Sequence, residues 1–205
     1  SVPYAAPTSE LPHGFTVTDV MRAAAKGRNY YRLYFQQRGV ADAELGRDVA
    51  TAIRAMLYSV SGDIVADGLH GSGWDGYFPT SERFIEQLVS PANLPSWISE
   101  AEVAEYVSAF SRTGFSGGLN WYRNINAIPA ILSPFVGAKI SQPALYLAGE
   151  HDAIAGNDPE VLAALSTDVP GLRALHVIKG AGHWLQQERA DEVNTALVHF
   201  LASLS

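Results

Sequence analysis

Apolar positions recur at helical spacing through the first two thirds of the chain and then condense into two short unbroken runs near its end. Leu45, Val49, Ile53 and Leu57 step by four and share one face, which predicts a helix over 43–57. Thr18 or Asp19 is placed to cap an earlier helix. Val103, Tyr106, Val107 and Phe110 predict a helix over 96–112, opened by the capping-box pair Ser99 and Glu102. The glycines of 114–118 break that helix, and a further one is expected over 119–126, ending before Pro129.

The two apolar runs, 142–148 and 175–178, read as buried strands. Between them Asp158-Pro159 opens a helix, with proline at the first helical position. A last helix starts near Ala190 and is expected to bury Val193, Leu197, Phe200 and Leu201. The ending is therefore strand–helix–strand–helix, an α/β unit with parallel strands. Two strands alone do not make a doubly covered parallel sheet. Residues 1–16, with Pro3, Pro7 and Pro12, read as an extended connection, and 68–79 as a glycine-rich loop.

Composition narrows the functional classes. The 205 residues are 47% hydrophobic and carry a net charge of −7 with no clustered basic face, which argues against nucleic-acid binding. The absence of cysteine removes disulfides, thiolate chemistry and Cys-based metal sites, and it fits a cytoplasmic protein. No run is long enough to cross a bilayer as a helix. His13, His70, His176 and His199 have no metal-ligand spacing with carboxylates, so no metal site is expected. Asp42, Glu44 and Asp48 read as a solvated helix face. The chain starts at Ser1, which goes with a reading of these residues as the later part of a longer polypeptide.

The candidate chemistry sits at the ends of the two runs. Asp152 follows the first strand and His183 the second, so both are expected at the same end of neighbouring strands. A carboxylate there can hold an imidazole in the tautomer that takes a proton from water, which makes hydrolysis the first hypothesis. The plainer alternatives are a loop histidine with its hydrogen bonds met and an aspartate that caps a turn.

Five strings carry a resemblance across nearly the whole chain. They are Tyr30-Tyr31-Arg-Leu-Tyr-Phe-Gln36, Gly39-Val-Ala-Asp-Ala-Glu-Leu45, Gly114-Phe-Ser-Gly-Gly-Leu-Asn-Trp-Tyr122-Arg-Asn, Gly149-Glu-His-Asp152, and Gly182-His183-Trp184-Leu-Gln-Gln-Glu188 with Glu192-Val-Asn194. With them the chain resembles the epoxide hydrolases of the α/β-hydrolase fold. The resemblance implies an α/β fold with a helical lid, the N-terminal half of the sheet being absent from this chain. It implies three parts: a connection over 1–16, the lid over 17–136 and the C-terminal part of the core over 137–205.

The resemblance also implies roles. Tyr31 and Tyr122 match the two lid tyrosines that donate to the epoxide oxygen, although Tyr30 and Tyr34 flank Tyr31 and compete on residue type. Asp152 and His183 match the acid and base that hydrolyse a covalent alkyl ester. Phe35, Ile154 and Trp184 match pocket positions, where ordinary core is the alternative. The family's nucleophilic aspartate in a Gly-x-Asp-x-Gly-like turn and its His-Gly-x-Pro loop have no counterpart here. The implied partners are a small-molecule epoxide, the N-terminal half of the hydrolase domain and, for assembly, a second copy in a homodimer. The alternatives are a haloalkane or haloacid dehalogenase of the same fold and a non-catalytic binding fragment.

Overall fold

The computed structural model describes residues 7, 11, 13–69, 74–152 and 159–204. The elements run α1 (Val17–Ala25), β1 (Asn29–Tyr30), α2 (Tyr31–Tyr34), α3 (Val40–Gly46), α4 (Val49–Ser59), α5 (Gly62–Ala66), β2 (Tyr77–Phe78), α6 (Glu100–Thr113), α7 (Ser116–Arg123) and α8 (Ile128–Leu132). The chain then alternates through β3 (Ala144–Gly149), α9 (Pro159–Asp168), β4 (Leu172–Ile178), α10 (Leu185–Glu188) and α11 (Ala190–Ala202). It divides into two compact units, one made of Ser1–Pro7, Ser59–Asp75 and Phe135–Ser205, the other of Thr8–Tyr58 and Gly76–Pro134.

The first unit is built on β3 and β4, which pair in parallel from Ala144 opposite Leu172 to Gly149 opposite Ile178. The period of two in a strand decides which side chains face which layer. Tyr146 and Ala148 pack with Leu165 and Val169 of the α9 layer. Leu147 points the other way, against Ile178, Ala181, Leu185 and Val193. The last helix departs from expectation on its outer face. Val193 is buried, but Leu197 is 41% and Leu201 61% exposed, because no described element packs on that side of α11.

Segment 59–75 belongs to this unit, so the sequence-based 17–136 segment is not continuous in space. Backbone contacts explain the grouping. The His183 amide donates to the Val60 carbonyl at 2.8 Å. Gly62 and Gly182 lack side chains where the two stretches meet: a Cβ on Gly182 would lie 2.4 Å from the Ser61 carbonyl carbon, and one on Gly62 would lie 2.0 Å from the Gly180 oxygen.

The second unit is helical, with one small antiparallel ribbon in which Asn29 and Tyr30 pair with Phe78 and Tyr77. Its helix boundaries correct several expectations. The cap of α1 is Thr16, in a capping box with Asp19, rather than Thr18 or Asp19. The stretch expected as one helix over 43–57 is two, because the Asp48 carboxylate accepts the Thr51 amide at 3.0 Å and opens α4. The Ser99–Glu102 capping box does open α6. Gly114, at φ 65°, ends that helix, whereas Gly117 and Gly118 lie inside α7 and break nothing. Pro129 sits in the first turn of α8, where a missing N–H costs no hydrogen bond.

Candidate functional site

In the helical unit, Tyr31 opens α2 and Tyr122 lies near the end of α7. Their rings meet edge to face at 5.6 Å between centroids. Phe35 completes the cluster, 5.7 Å from Tyr31 and 5.1 Å from Tyr122. The Tyr31 amide donates to the Gly76 carbonyl at 2.9 Å, and a Cβ on Gly76 would lie 2.6 Å from the Tyr31 ring. A glycine at φ 83° is therefore needed behind this phenol.

The two tyrosine helices are tied by polar contacts. The Gln36 side-chain nitrogen Nε2 donates to the carbonyls of Arg32, at 2.7 Å, and Tyr122, at 2.8 Å. Arg123 Nε donates to the Phe35 carbonyl at 3.1 Å, and its guanidinium pairs with Asp42. Arg123, Ser116 and the Gly39 amide hold the Asp42 carboxyl well below the usual carboxylate range. Burial pushes the Tyr122 phenol up, so it stays protonated at neutral pH and can donate. The Tyr31 oxygen accepts from Arg32 Nε at 2.8 Å.

Of the competing tyrosines, Tyr30 stands edge to face against Tyr31 itself, 5.0 Å between centroids, while Tyr34 faces Glu44. Tyr30 stacks on Tyr77 with centroids 4.6 Å apart, and burial raises its pKa to about 12. Tyr34 donates to Glu44 at 2.7 Å, and burial together with that carboxylate raises it to about 12 as well.

The expected solvated face of Asp42, Glu44 and Asp48 is corrected by these contacts. Asp42 pairs with Arg123, Glu44 is buried under Tyr34, and Asp48 caps α4. The Thr-x-x-Asp and Asp-x-x-Thr spacings around 16–19 and 48–51 were the legible signals of capping. The partners of Asp42 and Glu44 are distant in sequence and left no such signal.

In the α/β unit, Asp152 follows β3 and His183 follows β4 by five residues. The Asp152 side chain is buried, and its Oδ1 lies 3.1 Å from His183 Nδ1. A carboxylate only accepts, so the Nδ1 proton faces it and Nε2 holds the basic lone pair. The imidazole keeps a quarter of its surface open. Trp184 stands edge to face against it, 5.1 Å between centroids. The expected juxtaposition at the strand ends is thus present, within a single compact unit.

Ile154 lies outside the described residues. Among the described residues, no group of His, Cys, Asp and Glu is arranged to hold a metal ion, and no helix is long and apolar enough to cross a membrane. Sequence reasoning did not single out Arg32, Gln36, Arg123 or Glu188, whose roles depend on contacts rather than on local pattern.

No protein-family model matches the chain. Among curated proteins it is 40% identical over 204 residues to epoxide hydrolase A of Mycobacterium tuberculosis, a match that covers 100% of this chain and 60% of that protein. It is 32% identical over 189 residues to an epoxide hydrolase of Caballeronia sordidicola, covering 92% of this chain and 55% of that protein. An epoxide hydrolase structure from an endophytic Streptomyces superposes with a TM-score of 0.87 at 33% identity, over 100% of this chain and 59% of that one. Epoxide hydrolase A from Mycobacterium thermoresistibile superposes with a TM-score of 0.80 at 36% identity, over 98% and 60%. The chain therefore spans about 60% of the length of these relatives.

Proposed function

Starting from a chain that belongs with the α/β-hydrolase-fold epoxide hydrolases and covers about 60% of their length, we propose that it supplies the proton donors and the hydrolytic base of an epoxide hydrolase. The observation that carries the reading is the edge-to-face contact of the Tyr31 and Tyr122 rings, on segments tied by Gln36 and Arg123. The residues 17–58 and 76–134 act as the lid, and 137–205 as part of the catalytic core.

The chemistry runs in two halves. A carboxylate nucleophile, supplied by the part of the polypeptide that the relatives possess beyond this match, attacks an epoxide carbon. The ring C–O bond breaks as an ester C–O bond forms. Tyr31 and Tyr122 donate to the developing alkoxide, which leaves as a hydroxyl with a phenol proton. Neutral phenols suit this task, because an ionised carboxylate has no proton to give.

In the second half, His183 Nε2 takes a proton from water, and the oxygen adds to the ester carbonyl. Asp152 stabilises the imidazolium that forms. The ester C–O bond then breaks, the diol alkoxide takes the proton from His183, and the carboxylate returns. The proton released overall restores the phenol. The sum is epoxide plus water to vicinal diol, with no cofactor consumed. Phe35, Ile154 and Trp184 are the substrate-binding residues in this reading. A cytoplasmic location and a homodimer complete it, and cell fractionation and sedimentation test those two parts.

The exposed apolar side chains of β4 and α11, among them Leu175, Val177, Leu197 and Leu201, suit a surface covered by the rest of the hydrolase domain. The test is turnover of an epoxide panel by the full reading frame that contains these residues, with halide release from haloalkanes and haloacids measured alongside. Diol formation that collapses in the Tyr31→Phe/Tyr122→Phe protein supports the reading. Halide release that survives those substitutions, with no diol from any epoxide, would instead establish a dehalogenase.

A further inference from the structure

We propose that Glu188 is the positioning residue that fixes the His183 loop, by acting as a shared acceptor for the backbone on both sides of the imidazole. Its carboxylate is buried, 7% exposed, at the end of α10. Oε2 accepts the Gly182 amide at 2.7 Å and the Gly62 amide at 2.9 Å. Oε1 accepts the Trp184 amide at 2.9 Å. The amide between those two, on His183 itself, donates to the Val60 carbonyl at 2.8 Å.

Three consecutive amides, 182 to 184, thus end on fixed acceptors, and two of them share one carboxylate. Among the described residues Glu188 makes no ion pair with a lysine, arginine or histidine; its charge is met by backbone donors. Taking a carboxylate out of water is costly unless several donors compensate it. A glutamine could not replace it, because its NH2 group would confront an amide donor. The close approach of 61–62 to 180–182, which glycine alone permits, brings the Gly62 donor to the same oxygen. Glu188 therefore locks two chain segments and one loop into a single arrangement.

The consequence falls on His183. Its ring must meet Asp152 with Nδ1 while aiming Nε2 at water, and a loop that lost the anchors at Gly182 and Trp184 on either side of it would allow the ring to drift. Displacements near 1 Å cost about 100-fold in rate when geometry sets the barrier. The inference rests on His183 serving as the base of the proposed hydrolase.

The experiment compares Glu188→Gln, Glu188→Ala and Glu188→Asp with the exposed control Gln187→Ala in the full reading frame. One readout does not depend on turnover: the ring Nδ1–H resonance of His183, moved downfield by its carboxylate partner. The other separates ester formation from ester hydrolysis under single-turnover conditions. Glu188→Gln and Glu188→Ala should lose or broaden the resonance and slow ester hydrolysis by about 100-fold, with ester formation changed far less. Glu188→Asp should recover part of both, and Gln187→Ala should match the wild type. An unchanged resonance and hydrolysis rate in Glu188→Gln or Glu188→Ala, or an equal loss in both half-reactions, would overturn the proposal. In the unaltered protein, the Gly62, Gly182 and Trp184 amides should exchange with solvent slowly and together. Exchange as fast as in an exposed loop would overturn it without any variant. Failure of the wild type to open any epoxide would refute the functional reading, while the resonance and exchange readouts still decide the role of Glu188.

Discussion

His183 Nδ1 lies 3.1 Å from Asp152 Oδ1, with the aspartate side chain 1% exposed and the histidine side chain 25% exposed. The pairing puts the carboxylate in the protein interior and the imidazole at an accessible edge. Burial of the carboxylate strengthens its hold on the ring, because the surroundings screen the interaction less than water does.

Replacing the acceptor should therefore injure the hydrolytic half alone. Asp152→Asn keeps the size but offers an NH2 group that can favour the wrong imidazole tautomer. We expect steady-state turnover to fall by about 10³- to 10⁴-fold, with ester formation nearly intact. Burst kinetics would check this, since a growing burst followed by a slow phase is the expected trace.

The two phenols should act as a unit. Tyr31→Phe or Tyr122→Phe alone should lower the rate of ester formation by about 100-fold or more, the usual cost of one donor to a developing oxyanion. The double variant should leave no measurable diol. Substrate affinity should change little, because the donors matter most as charge develops. Single-turnover rates and binding of a non-reactive ether analogue would distinguish the two effects.

The Asp42–Arg123 pair should stabilise the helical unit in a pH-dependent way. Its carboxyl titrates below the ordinary aspartate range in the folded state, because Arg123, Ser116 and the Gly39 amide all favour the ionised form. The folded state therefore binds that proton less readily than the unfolded one. The stabilisation is complete above about pH 5 and is lost as pH falls below about 4. Asp42→Asn should cost on the order of 2–3 kcal/mol at pH 7, somewhat under the fully buried case. The gap between wild type and variant should shrink on acidification, as urea unfolding at several pH values would reveal.

Glycines that look alike in the chain should behave oppositely. Gly182→Ala would force a Cβ to 2.4 Å from backbone at Ser61, so a loss of about 3 kcal/mol, the upper end of the usual overpacking cost, is expected. Gly118→Ala meets open space inside α7 and should gain up to about 1 kcal/mol from helix propensity. Thermal unfolding of the two variants checks the contrast.

The same contrast marks what could be read from the sequence. Local signals served well for the Ser99–Glu102 cap, for β3 and β4 as paired strands and for the strand-end placement of Asp152 and His183, but the β4 run expected to be buried is exposed at Leu175 and Val177. Distinctive strings singled out Tyr122, and its contact with Tyr31 followed. Hidden from the sequence were features made by partners far along the chain. Asp42 finds Arg123 81 residues away, and Glu188 finds Gly62 126 residues away. Helix periodicity also misled where a side-chain cap overrode it, as Asp48 does between α3 and α4. It misled on α11 too, whose apolar stripe is real but is exposed at Leu197 and Leu201.

The most direct test of the central claim is the intact mass of His183→Gln protein quenched after mixing with an epoxide, beside the same variant also carrying Tyr31→Phe and Tyr122→Phe. The expected result is a persistent gain of one epoxide mass in the first and none in the second. Diol release at the wild-type rate from His183→Gln, or equal adduct in both proteins, would contradict it.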